Sequence, residues 1–162
     1  MTVRLTGITI LAAVLLSGCG YTTESIWRKD IRTVAVPVFT TRSLRRGHEF
    51  ALTKAVTEEI MRRSGYTLAS NEDADTILLG EIEELRTPVL VEDSQDRIFE
   101  YSVSVTMRLV WRDQRTGDVI YEGEVSESGD AVLSQGESLM TARDEAFREL
   151  ARVIVDRLLI QW

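Results

Sequence analysis

The chain has 162 residues, 28% of them charged and 44% hydrophobic, a balance that suits a globular protein with room for a real core. Its formal net charge of -7 argues against non-specific nucleic-acid binding. The only cysteine is Cys19 and the only histidine is His48, which excludes an intrachain disulfide and leaves no clustered His or Cys for metal ligation.

Residues 8–16 read ITILAAVLL, an uncharged run preceded by Arg4 and followed by small residues. Such a run is far short of the roughly 20 residues a bilayer span needs, and its order is that of a secretory signal peptide. Leu16-Ser17-Gly18-Cys19 resembles the bacterial lipobox, in which a diacylglycerol is attached to the thiol and the chain is cut just before it. The expectation is a lipoprotein signal peptide over 1–18 and a lipid attachment at Cys19, carrying diacylglycerol and an N-acyl chain. Two or more chains anchor durably. Gly20 follows the cysteine where an aspartate would favour retention in the inner membrane, so outer-membrane sorting is expected. Residues 19–30 read as a tether, and 31–162 as one folded domain.

The first folded segment, 31–41 (IRTVAVPVFTT), is apolar on both sides and reads as a strand. Pro37 cannot donate to a ladder, so the strand lies at an edge or its far half leaves the sheet. Residues 47–64 read as a helix with Phe50, Leu52, Thr53, Val56, Thr57, Ile60 and Met61 on one half and Lys54, Glu58, Glu59 and Arg62 on the other. Gly65 stands where a left-handed cap would end it. A short stretch, 66–70, and the turn NEDAD precede a second strand over 76–85. Apolar parity there switches between Ile82 and Leu85, which predicts a bulge near Glu83-Glu84.

Residues 98–112 alternate strictly apart from Val110, the mark of a long strand with one wet and one buried face. The turn DQRTGD leads to a further alternating run over 119–126, and the pair reads as an antiparallel hairpin. A second helix closes the chain. Ser134-Gln135-Gly136-Glu137 has capping-box spacing, and Met140, Phe147, Leu150, Ala151, Ile154 and Leu158 form a stripe. The expected fold is α+β: a two-layer sandwich of two amphipathic helices on one face of a mostly antiparallel four-stranded sheet, in the order β-α-β-β-β-α.

No catalytic constellation is legible. His48 beside Glu49 reads as a solvated residue at a helix start. Glu81 and Glu83 share a strand face, where solvation is the ordinary explanation for a carboxylate pair. Asp73 and Asp75 sit in a turn, where aspartates belong. No glycine-rich phosphate loop appears, so neither an enzyme activity nor a cofactor is expected.

Taken together, SGCGY at the lipid site, RTVAVPVF, RRGHEFALTKAVTEEI and ADTILLGEI resemble LptE, the lipopolysaccharide-assembly lipoprotein family, over nearly all of 19–160. The resemblance implies an α/β sandwich anchored to the outer membrane and facing the periplasm. It further implies a plug inside the β-barrel LptD that helps the barrel fold and passes lipopolysaccharide to the surface, without catalysis. Two loops where such proteins are expected to meet lipopolysaccharide, VEDSQ at 91–95 and VLSQG at 132–136, carry no Lys or Arg here, so no ligand residue is transferred from the family. The alternative is a periplasmic lipoprotein that binds and activates a cell-wall enzyme or joins a secretion complex.

A separate candidate comes from charge. Residues 28–48 hold Arg28, Lys29, Arg32, Arg42, Arg45 and Arg46 against Asp30 alone. Arg42, Arg45 and Arg46 precede a helix N-terminus, where cations are disfavoured by a few tenths to about 1 kcal/mol. Two readings stand: a solvated, screened loop, or a contact with an anionic headgroup.

Overall fold

The structure, a computed structural model, describes residues 30–42, 47–92, 98–132 and 138–160. The leader 1–18, Cys19, Arg45, Arg46 and the capping-box spacing at 134–137 lie outside the described residues. Among those described, the order is β1 (Thr33–Ala35), β2 (Thr40–Thr41), α1 (His48–Arg63), β3 (Thr67–Leu68), β4 (Thr76–Arg86), β5 (Val89–Glu92), β6 (Ile98–Asp113), β7 (Val119–Val132) and α2 (Leu139–Ile160).

The architecture is α+β with two helices, but the sheet is neither four-stranded nor mostly antiparallel. It is a mixed sheet of seven strands, six if β1 and β2 count as two halves of one interrupted strand. β1 runs parallel to both β3 and β4, and β2 runs parallel to β4. β4, β5 and β7 each run antiparallel to β6. The parallel half follows from the helix between β1 and β4, since such a crossover returns the chain to the end from which it started.

Pro37 explains the interruption. The ladder lapses from Val36 to Phe39 and resumes at Thr40, where Arg42 N–H donates to the Ile82 carbonyl at 3.0 Å. Phe39 turns into the core over Gly80, where an added Cβ would come within 2.8 Å of the Phe39 ring and 2.5 Å of the Met107 methyl. The expected bulge is present, as a register shift between Ile82 and Glu84. The long strand and hairpin form as expected, with Gly117 supplying the left-handed turn position at φ 81°. β7 extends past Ser126 to Val132.

The core lies between the helices and one face of the sheet. Val105, Met107, Leu109 and Trp111 of β6 and Leu78 and Ile82 of β4 meet Leu52, Val56 and Ile60 of α1 and Phe147, Leu150 and Ile154 of α2 in one cluster. Four wheel positions are corrected. Phe50, Met61 and Met140 are exposed, and Glu59, expected on the wet side, is buried. The buried arc of α1 centres on Val56, and at 100° per residue Phe50 and Met61 fall more than ~100° round from it. Glu59 is tolerated because Arg62 and Arg63 donate to its carboxylate at 2.5 and 3.4 Å, and Arg63 also reaches Asp156 of α2 at 2.7 Å.

The caps also differ from expectation. Ser64 ends α1 in an extended conformation with its N–H on the Ile60 carbonyl, and it is Gly47, before the helix, that takes the left-handed conformation at φ 101°. For α2, Ser138 Oγ accepts the Thr141 N–H at 3.3 Å.

Candidate functional site: the uncovered face of the sheet

Both helices pack on one face of the sheet, and the opposite face carries no described element. Register places its residues. Leu79 stands opposite Val110, Glu81 opposite Arg108 and Arg112 opposite Val119. The result is an apolar end beside a charged band. Val38, Leu79 and Val119 are 50%, 38% and 49% exposed, large values for branched aliphatic side chains. A groove of about 280 Å³ runs between the Pro37–Val38 kink and the β4–β6 ladder, floored by Leu79 and Val110 and edged by Thr40, Glu81 and Arg108.

The charged band is internally paired. Arg42 Nε and Nη2 donate to the two carboxylate oxygens of Glu81 at 2.9 and 3.0 Å, and Glu83 lies 3.8 Å away. Hydrogen bonding to Glu81, then the charges of Glu81 and Glu83, raise the Arg42 pKa. Arg86 pairs with Glu84 at 2.6 Å and Arg108 with Glu122 at 3.8 Å. Glu81 and Glu83, read as merely solvated in the sequence, are therefore both partners of Arg42, just past the end of β2. Of the three candidate arginines, the structure places Arg42 on the sheet, paired with Glu81. Arg45 and Arg46 lie outside the described residues. The helix N-terminus itself has an internal anion, because Gly47 N–H donates to the Glu49 carboxylate at 2.8 Å.

His48 is half-buried rather than solvated, with its ring edge-on to Phe147 at 6.3 Å between centroids. The perturbed carboxylates are structural. Asp75 Oδ2 accepts the backbone N–H groups of Arg32 and Thr33 at 2.8 and 3.0 Å and the Thr33 hydroxyl at 3.0 Å. These backbone bonds hold its pKa below the usual range. Asp113 accepts the Arg115 and Thr116 N–H groups at 2.8 and 3.2 Å and the Arg115 guanidinium at 3.2 Å, and the guanidinium bond does most to lower its pKa. A carboxylate saturated with donors and held low is a poor general base, and this pair staples β1 and the β6–β7 turn to the sheet. Sequence spacing could not reveal the Asp75 contacts, because Asp75 and its donors are far apart in the chain.

Among the described residues no group of His, Cys, Asp and Glu could hold a metal ion. None of the described helices is long and apolar enough to cross a membrane.

The family model of LptE, lipopolysaccharide-assembly, matches residues 31–159. The chain belongs to the LptE family. The family is named for lipopolysaccharide assembly. No curated protein sequence matches the chain. Solved structures share the fold of this LptE-family chain. The hypothetical protein CT253 of Chlamydia trachomatis is 16% identical with a TM-score of 0.60, over 81% of this chain and 97% of that one. Protein XCC0632 of Xanthomonas campestris is 9% identical with a TM-score of 0.60, over 81% and 85%. Lipoprotein GNA1162 of Neisseria meningitidis is 12% identical with a TM-score of 0.51, over 78% and 97%. At these identities the likeness is one of fold alone, so it is the family match that separates lipopolysaccharide assembly from the other uses of this sandwich.

Proposed function

We propose that the chain is an outer-membrane lipoprotein that plugs an LptD-like β-barrel from the periplasmic side, assists its assembly and helps deliver lipopolysaccharide to the cell surface. The family match over 31–159 carries this reading. The lipobox supports the anchor: cleavage of 1–18 would leave Cys19 to receive diacylglycerol and an N-acyl chain, with 19–30 as the tether and the remainder as the domain. The uncovered sheet face supports the plug, since an element seated in a barrel needs one surface that its own helices leave free. No catalysis and no cofactor enter this function.

Arg42, Arg45 and Arg46 are proposed to meet an anionic headgroup. Arg42 is held on Glu81, and Arg45 and Arg46 follow it in the sequence after Ser43 and Leu44. Changing all three to glutamine should lower lipopolysaccharide binding, and unchanged affinity would remove them from the site.

The deciding experiment is purification of the protein from its native envelope in mild detergent. The expected outcome is an acylated Cys19 by mass spectrometry and a co-purifying heat-modifiable barrel. A bare thiol would remove the anchor, and a peptidoglycan synthase in place of the barrel would move the protein to the cell-wall alternative.

A further inference from the structure

β7 pairs with β6 on one side, and no described strand pairs with its other side. The pairing is regular without a break from Glu100↔Val132 to Trp111↔Tyr121, so the strand neither bulges nor turns away along that run. Proteins blunt such an edge with proline, lysine, a bulge or a covering element. Val119–Val132 contains neither proline nor lysine, and α2 packs on the face of β7 rather than beside it, with Ala142 and Ala146 backbone against Gly129. An open ladder of backbone donors and acceptors accepts one kind of partner directly, another extended strand.

Charge decides which strand. β7 carries Glu122, Glu124, Glu127 and Asp130 and no Lys or Arg. Glu122 has Arg108 at 3.8 Å, whereas Glu124, Glu127 and Asp130 make no ion pair among the described residues. Glu122, Glu124 and Asp130 are exposed. A second copy pairing edge to edge would set these carboxylates against each other, which is destabilising in a cross-strand pair. Cations opposite them would be favourable in the same geometry.

We infer that the outer edge of β7 is a docking edge for an extended segment of another protein bearing Lys or Arg at alternate positions, added as a further strand to the sheet. The inference goes beyond the barrel-plug reading and does not rest on it, because it follows from the edge and its charge whichever assembly the protein joins.

The test uses the full chain in mild detergent and two synthetic peptides about as long as β7, one alternating lysine with threonine and one alternating glutamate with threonine. Hydrogen exchange and a binding titration are read for each. The lysine peptide should bind in a salt-sensitive manner and slow exchange of amides within 122–130. The glutamate peptide should not. In the double variant Glu124→Lys, Asp130→Lys, whose side chains are exposed and share one face of the strand, the preference should invert, with affinity for the lysine peptide down by about tenfold or more. Absence of binding by the lysine peptide to the unaltered chain, equal binding of both peptides, or protection that falls elsewhere than β7 would overturn the inference.

Discussion

The hydroxyl of Thr53 on α1 accepts the backbone N–H of Phe39, 3.0 Å away, and donates its own proton to the Glu49 carbonyl at 2.6 Å. Phe39 lies in the stretch where Pro37 interrupts the first strand, so its N–H has no ladder partner. One helix side chain therefore satisfies the donor that the strand break strands in the core. Removing the hydroxyl leaves that buried N–H without a partner, a cost of about 1–3 kcal/mol. Thr53→Val should lower the denaturation midpoint accordingly and Thr53→Ser should keep most of the stability. Equal effects would mean that the contact is packing alone.

Gly129 is a point of close approach between β7 and α2. A Cβ placed there would lie 2.4 Å from the Ala142 carbonyl oxygen and 2.6 Å from the Ala146 nitrogen, both backbone atoms of the helix. Gly129→Ala must push α2 away from the sheet and should cost about 1–3 kcal/mol or more. Gly123→Ala is the control. There the obstruction is the end of the Tyr121 side chain, at 2.5 Å, which can swing aside. Thermal unfolding of the two variants should rank Gly129→Ala clearly lower.

Asp75 and Asp113 make stability depend on acid. Each carboxyl has a folded pKa below its ordinary value, Asp75 through the Arg32 and Thr33 amides and Asp113 through Arg115. Their contribution is fully present above the unfolded carboxyl value of about 3.9 and is lost as pH falls through the lower folded values. Unfolding free energy measured across the acid range should therefore fall below about pH 4. Asp75→Asn and Asp113→Asn should lower stability at neutral pH and flatten that acid limb. A limb unchanged in both variants would assign it to other groups.

Trp111 is fully buried, and its indole Nε1 has no hydrogen-bond partner among the described residues. Its ring packs against Tyr66, 6.1 Å between centroids. Trp111→Phe discards the unpaired donor, which is worth about 1–3 kcal/mol, while opening a small cavity. The two effects oppose, so Trp111→Phe should cost much less than the roughly 3–5 kcal/mol expected for Trp111→Ala. Equal losses in the two variants by urea denaturation would show that the indole proton is bonded after all.

Local pattern carried much of the architecture. Alternation over 98–112 and the turn after it specified the β6–β7 hairpin, the parity switch after Ile82 specified the bulge, and the helical stripes specified both helices. These are short-range consequences of a strand's two-residue and a helix's 3.6-residue period. The family was legible for a related reason, since its motifs are contiguous stretches.

What tertiary structure decided is everything set by which elements become neighbours. Parallel pairing of β1 with β4 comes from the crossover through α1, and the two-residue strands β2 and β3 are strands only because a partner lies alongside. β7 reaches Val132 although Gly129 and Ala131 carry no strand signal, because small residues there let α2 come close. Phe50, Met61 and Met140 face solvent and Glu59 is buried because a helix wheel records which residues share a side, not how wide an arc the neighbouring sheet and helix cover. The Asp75 staple and the uncovered sheet face are likewise products of assembly: each joins residues distant in the chain, whose meeting is governed by long-range packing rather than by local sequence.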